Sequence, residues 1–137
     1  MEGSQRIPLR LWIDAMKQYV ASRSPCPVGR ASRLLGDRWV LLILREAFLG
    51  VERFDDFVDR LGISRAALTS RLQWMIDAGV MERVPPEGRR AVYRLTEAGL
   101  ALRPTYDAIR AWGDQWLPRT CGDAAGWTGG AGETPTA

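Results

Sequence analysis

The stretch that most constrains the fold of this chain is residues 62–94, where a capped helix runs into a β-hairpin with a basic tip. Ser64 stands at the natural N-cap of the helix, with Ile63 as the preceding hydrophobe. Leu68, Leu72, Met75 and Ile76 recur at helical spacing and face inward. Ala66, Ser70, Gln73 and Asp77 are expected to point away, with Thr69 on the flank, and Gly79 closes the helix. Val80–Val84 and Ala91–Leu95 then read as strands around the turn Pro85-Pro86-Glu87-Gly88-Arg89-Arg90. Upstream, Phe54, Phe57, Val58 and Leu61 share one face of a short helix, which Gly62 can end by turning left-handed. Helix, tight turn, helix and hairpin is the order of a winged helix-turn-helix, whose second helix lies in the DNA major groove.

The rest of the chain supplies helices around this unit. Pro8 starts a predicted helix over 8–22, with Leu9, Trp12, Met16, Tyr19 and Val20 on one face. Ser22 to Pro27 is a linker. A short helix is predicted from Pro27 to Leu35, burying Val28, Ala31, Leu34 and Leu35. Gly36 breaks it, and Asp37 can cap the next helix, Arg38 to Leu49, which carries the most apolar run of the chain. Thr96 can cap a helix to about Leu102. Pro104 forces a new start, and Tyr106, Ile109, Trp112 and Trp116 form an apolar stripe beyond it. The expected organisation is an N-terminal extension over 1–25 with an added helix, a winged-helix domain over 26–118, and a Gly-rich tail over 119–137 expected to be disordered.

Composition narrows the function further. The chain has no histidine, which removes the commonest general base and metal ligand. Cys26 and Cys121 match no zinc spacing. No metal, cofactor or catalytic set is expected, and an enzyme is the least supported class. The net charge of +3 is modest, but Arg65, Arg71, Arg83, Arg89, Arg90 and Arg94 outnumber Asp77, Glu82 and Glu87 in segment 64–94. The basic surplus therefore sits where DNA contact is expected. The longest apolar run, Trp39 to Leu44, is too short to span a bilayer, and Asp14 and Lys17 interrupt any signal-peptide core. A cytoplasmic protein is the expectation.

The segment from Cys26 to Pro118 resembles the HxlR family of winged-helix transcriptional regulators, relatives of the MarR group. The match is carried by Cys26-Pro27-Val28, Leu35-Gly36-Asp37-Arg38-Trp39, Leu42-Ile43-Leu44-Arg45-Glu46, Gly50, Arg53-Phe54 and Ile63-Ser64. It continues through Leu68, Arg71-Leu72, Ala78-Gly79-Val80, Tyr93-Arg94-Leu95-Thr96 and Trp112-Gly113. The resemblance implies a mainly α fold of α+β winged-helix type, with a two-stranded wing and flanking N- and C-terminal dimerisation helices. It implies a homodimer on double-stranded DNA at a pseudo-palindromic operator, with repression the expected sign. The helix at 8–22 precedes the family's usual Cys-Pro start, and the Gly-rich tail is extra.

Several residues carry two readings. Ser64, Arg65, Ala66, Thr69, Ser70 and Gln73 are candidate DNA contacts on the recognition helix, against a solvated helix face. Arg65 could equally bind phosphate, and Ser64 serves first as a cap. Arg71 either clamps phosphate or pairs with a carboxylate such as Glu46. Arg89 and Arg90 are candidate wing contacts to phosphate or the minor groove, and Arg38 and Arg53 candidate phosphate contacts at helix starts. Trp12, Trp39, Trp112 and Trp116 could line a cleft for an aromatic small-molecule effector at the dimer interface, or simply be core and interface residues. Trp74 points partly outward, and packing against the added N-terminal helix would explain it.

Cys26 precedes a helix start, a position that favours a thiolate, and members of the family it resembles sense oxidants or electrophiles with a cysteine there. The alternative is a small buried residue. A disulfide between Cys26 and Cys121 of two subunits is a further hypothesis. A winged-helix module that binds protein instead of DNA remains the rival function.

Overall fold

The computed structural model describes residues 19–119. Along the chain run α1 (Pro27–Leu35), α2 (Arg38–Phe48), α3 (Phe54–Leu61), α4 (Arg65–Asp77), β1 (Met81–Val84), β2 (Val92–Leu95), α5 (Glu97–Leu100) and α6 (Arg103–Trp116). The fold is the expected α+β winged helix.

Local chemistry sets the boundaries. Asp37 caps α2 by accepting the Val40 N–H at 3.1 Å, Ser64 caps α4 by accepting that of Ala67 at 3.1 Å, and Thr96 caps α5 by accepting that of Gly99 at 3.2 Å. Gly62 ends α3 at φ 62°, a left-handed backbone that makes the tight turn into α4. Gly99 answers a different need: a Cβ there would come within 2.1 Å of the Val80 carbonyl oxygen, so only glycine lets α5 pack against the start of the hairpin.

The core lies where α2, α3, α4 and β1 meet. Val40, Ile43, Phe57, Leu68, Leu72, Met75 and Met81 are buried there. β1 and β2 pair antiparallel in the register Met81 to Leu95 and Val84 to Val92. The chain entering α3 adds a short third contact to this hairpin. Arg53 bridges Val92, and the Tyr93 N–H donates to the Glu52 carbonyl at 2.8 Å. The wing is thereby tied to the helix-turn-helix it follows.

Glu46 on α2 is fully buried. Its Oε1 accepts the Arg45 guanidinium at 3.0 Å and its Oε2 accepts Arg60 Nε from α3. The two arginines come from different elements, so this buried carboxylate ties α3 to α2.

Two expectations are corrected. Residues 19–24 are not helical, so no helix reaches Ser22; the Ser22 hydroxyl instead accepts the Ser24 N–H, and the Ser24 hydroxyl accepts that of Cys26. Such local bonds compete with helix, and Pro25 and Pro27 reinforce the break. The rest of the predicted helix at 8–22, with Trp12, lies outside the described residues, as does the tail from 120 onward. In α1, Val28 is 74% exposed and Ala31 is exposed, because only Leu34 and Leu35 of that helix reach the core.

Candidate nucleic-acid interface

The recognition helix α4 is held on several sides by α2, α3 and β1. Its buried arc is therefore wide, and what it leaves free is a narrow stripe. Arg65, Ala66, Thr69 and Gln73 all lie exposed at helical spacing on that stripe, with the Ser64 cap exposed at its start. Ser70 does not join them. It is 8% exposed, turned into the helix packing, where Arg71 Nη1 lies 3.4 Å from its hydroxyl. Periodicity within one helix put it outward; the width of the buried arc, set by neighbours distant in sequence, turns it in.

The exposed polar groups already have local partners. Arg65 Nη1 lies 2.9 Å from Asp55 Oδ1, and its guanidinium sits 4.9 Å from the Phe54 ring. Gln73 Nε2 donates to Asp77 Oδ1 at 2.8 Å, and the Thr69 hydroxyl donates to the Arg65 carbonyl at 2.8 Å. Both Arg65 and Asp55 are mostly exposed, so their ion pair costs little to exchange for a phosphate or base edge.

Of the two readings of Arg71, the structure shows the pairing with a carboxylate. Its Nε donates to Asp37 Oδ2 at 3.1 Å and its guanidinium lies 4.2 Å from the Trp74 ring centroid. The carboxylate partner is Asp37, not Glu46, whose oxygens are taken by Arg45 and Arg60. One carboxylate thus caps α2 through Oδ1 and holds α4 through Oδ2. Trp74 is half-buried beneath Arg71.

The wing loop, 85–90, is exposed throughout. Arg89 and Arg90 extend from it, and Arg90 takes φ 64°. Arg53 and Arg38 are also exposed; Arg38 lies 4.8 Å over the Trp39 ring, while Arg53 is held through its backbone by the bridge to Val92. Sequence reasoning missed Arg83. Its guanidinium donates to the carbonyls of Pro85 and Pro86 at 2.9 Å each and to that of Gly88. The only sequence signal was an arginine at the foot of a proline turn.

Of the four tryptophans offered as a cleft, Trp12 lies outside the described residues. Trp39 is half-buried, while Trp112 and Trp116 lie on the open face of α6, 57% and 63% exposed. An apolar groove runs instead along Leu35, Leu41, Leu44, Leu102, Tyr106 and Ile109, with no tryptophan in it. Cys26 is the exposed N-cap residue of α1 and its thiol is free; Cys121 lies outside the described residues. Among the described residues no group of His, Cys, Asp or Glu could hold a metal ion, and no helix is long and apolar enough to cross a membrane.

The order α3, tight turn, α4, wing, with a basic loop beside an exposed helix stripe, agrees with a specific sequence match. Residues 34–121 match the HxlR-like helix-turn-helix family, well over half of the chain. The chain belongs to that family. The match opens at Leu34, past Cys26. An uncharacterised HTH-type transcriptional regulator of Mycobacterium tuberculosis is 46% identical over 111 residues, covering 72% of this chain and 70% of that one. The HTH-type transcriptional regulator YodB of Bacillus subtilis is 34% identical over 95 residues, 66% of this chain and 85% of YodB. Among solved structures, the reduced form of YodB is similar at a TM-score of 0.57 and 30% identity, covering 69% of this chain and 96% of that one. The redox regulator HypR in its reduced form is similar at a TM-score of 0.60 and 25% identity, covering 66% of this chain and 92% of that one. This HxlR-type chain is a DNA-binding transcriptional regulator, from a family of regulators and not of enzymes.

Proposed function

We propose that this HxlR-type chain is a sequence-specific repressor that binds a pseudo-palindromic operator as a homodimer and is released by thiol oxidation or by a small aromatic effector. The observation that carries the reading is the stripe Arg65, Ala66, Thr69 and Gln73, left exposed on a helix that is otherwise packed on several sides. These types suit base edges: Arg for guanine, Gln for adenine, Ala and Thr for the thymine methyl. The Ser64 end of α4 offers backbone N–H groups to a phosphate, and Arg89, Arg90, Arg53 and Arg38 supply further phosphate contacts. Arg71 sits against Asp37 and Trp74, which suits holding α4 better than reaching DNA.

The homodimer is supported by α6, which exposes Ile109, Trp112 and Trp116 and leads to exposed Leu117. An apolar face of this size on one helix suits a second copy. An aromatic effector would sit where the tryptophans of two such helices meet. The thiol switch is supported by the exposed, free Cys26 and by the likeness to YodB, solved in reduced and diamide-treated forms, and to HypR, solved in reduced and oxidised forms. Oxidation would join two Cys26 thiols, or Cys26 and Cys121 of two subunits, with diamide or another oxidant taking the two electrons and two protons.

The test is a gel-shift titration against the DNA upstream of the coding sequence, at several salt concentrations, with and without diamide. The expected result is tight, sequence-dependent binding that weakens steeply with salt, is lost with diamide and is restored by thiol. Binding equal on operator and scrambled duplexes contradicts sequence-specific regulation. Binding unchanged by diamide removes the thiol switch, and absence of binding favours a protein-docking module.

A further inference from the structure

We propose that Arg83 is a positioning residue for the DNA interface: it gathers the wing loop from inside and so sets where Arg89 and Arg90 point. This rests on the DNA-binding reading and adds to it a residue in neither the recognition stripe nor the phosphate set. Arg83 lies in β1, paired across the hairpin with Tyr93. Residues 85–91, between the strands, are too many for a two-residue hairpin turn, and Pro85 and Pro86 have no N–H to offer a ladder. Such a loop has few ways to hold itself. Arg83 supplies three: Nη1 donates to the Pro85 and Pro86 carbonyls, and Nη2 to the Gly88 carbonyl. A guanidinium has fixed, forked donors, so it sets the three carbonyls relative to one another; an ammonium, a single point on a flexible stem, cannot. Gly88 at φ 100° and Arg90 at φ 64° take the left-handed turns that follow the gathered carbonyls and lead the chain back to β2. Arg83 spends these donors on carbonyls, so it keeps its positive charge at the foot of a loop that carries Glu87, Arg89 and Arg90.

The experiment compares full-length Arg83→Lys and Arg83→Gln with the unsubstituted protein in two readouts. The first is tryptic cleavage after Arg89 and Arg90, followed by mass spectrometry, which reads the order of the loop without DNA. The second is affinity for a fluorescein-labelled duplex of the upstream DNA. Losing charged hydrogen bonds at a half-exposed site corresponds to about a five- to tenfold change in each. The expected result is faster cleavage and weaker DNA binding by about that factor in both variants, with the melting temperature lowered by no more than about 5 °C. Rescue of affinity by lysine overturns the proposal, because it makes Arg83 a plain phosphate contact. Cleavage as slow as in the unsubstituted protein overturns it too, because the loop then holds without Arg83. Faster cleavage with unchanged DNA affinity refutes the positioning role while leaving DNA binding intact. Failure of the unsubstituted protein to bind DNA refutes the DNA reading itself and with it the role built on it.

Discussion

Replacing Glu46 with glutamine tests how the helix-turn-helix is tied to its core. Glu46 is fully buried, with Arg45 on one oxygen and Arg60 on the other. Glutamine keeps the shape, loses the charge, and turns an N–H₂ toward one of the guanidiniums. Breaking a buried ion pair by removing one partner costs about 3–5 kcal/mol when the remaining charge stays buried. Here the remaining charges are partly exposed, Arg45 at 21% and Arg60 at 30%, so each can turn to water. That brings the expected loss down to about 2–3 kcal/mol. For a chain of this length it corresponds to a fall in melting temperature of about 10 °C. Urea unfolding followed by tryptophan fluorescence, at one fixed protein concentration, measures it, with the midpoint falling and the slope unchanged. A loss under about 1 kcal/mol would mean that the pair behaves as an exposed one, and the reasoning from burial would be wrong.

Three further outcomes are expected. Arg89→Ala combined with Arg90→Ala weakens binding to all DNA sequences and lowers the slope of log affinity against log salt by about 2, measured by fluorescence anisotropy; an unchanged slope counts against the wing contact. Asp55→Asn frees Arg65 and removes a carboxylate beside the recognition stripe, so DNA affinity rises by about two- to fivefold at low salt and the gain fades at high salt; a fall in affinity would mean that Asp55 orients Arg65 for contact. Trp112→Glu puts a charge on the exposed face of α6, and sedimentation velocity should show monomer where the unsubstituted protein shows dimer; an unaltered dimer would place the interface elsewhere.

What could be seen in the sequence was what local chemistry decides. The bounds of α1 and α3 follow from Pro27 and Gly62, and the starts of α2, α4 and α5 from the caps Asp37, Ser64 and Thr96. What could not be seen depends on neighbours far along the chain. Ser70 turns inward because α4 is packed on several sides. Arg71 meets Asp37 across 34 positions, and Arg60 meets Glu46 across 14. The third contact of the hairpin at Glu52 and Arg53 left no strand pattern, because only one residue pair bridges. Arg83 was passed over because an arginine in a strand reads as a solvated side chain until its loop is folded over it. The helix end at Ser22 was misread because a helical apolar spacing outweighed the local bonds of Ser22 and Ser24.

The measurement that tests the account most directly is a hydroxyl-radical footprint of the protein on its upstream DNA. A homodimer using two α4 helices should protect two patches about 34 Å apart along the duplex, related by pseudo-two-fold symmetry, with lighter wing protection beside each. A single patch would contradict the dimer on its operator, and uniform protection at every position would contradict sequence-specific recognition by the stripe Arg65, Ala66, Thr69 and Gln73.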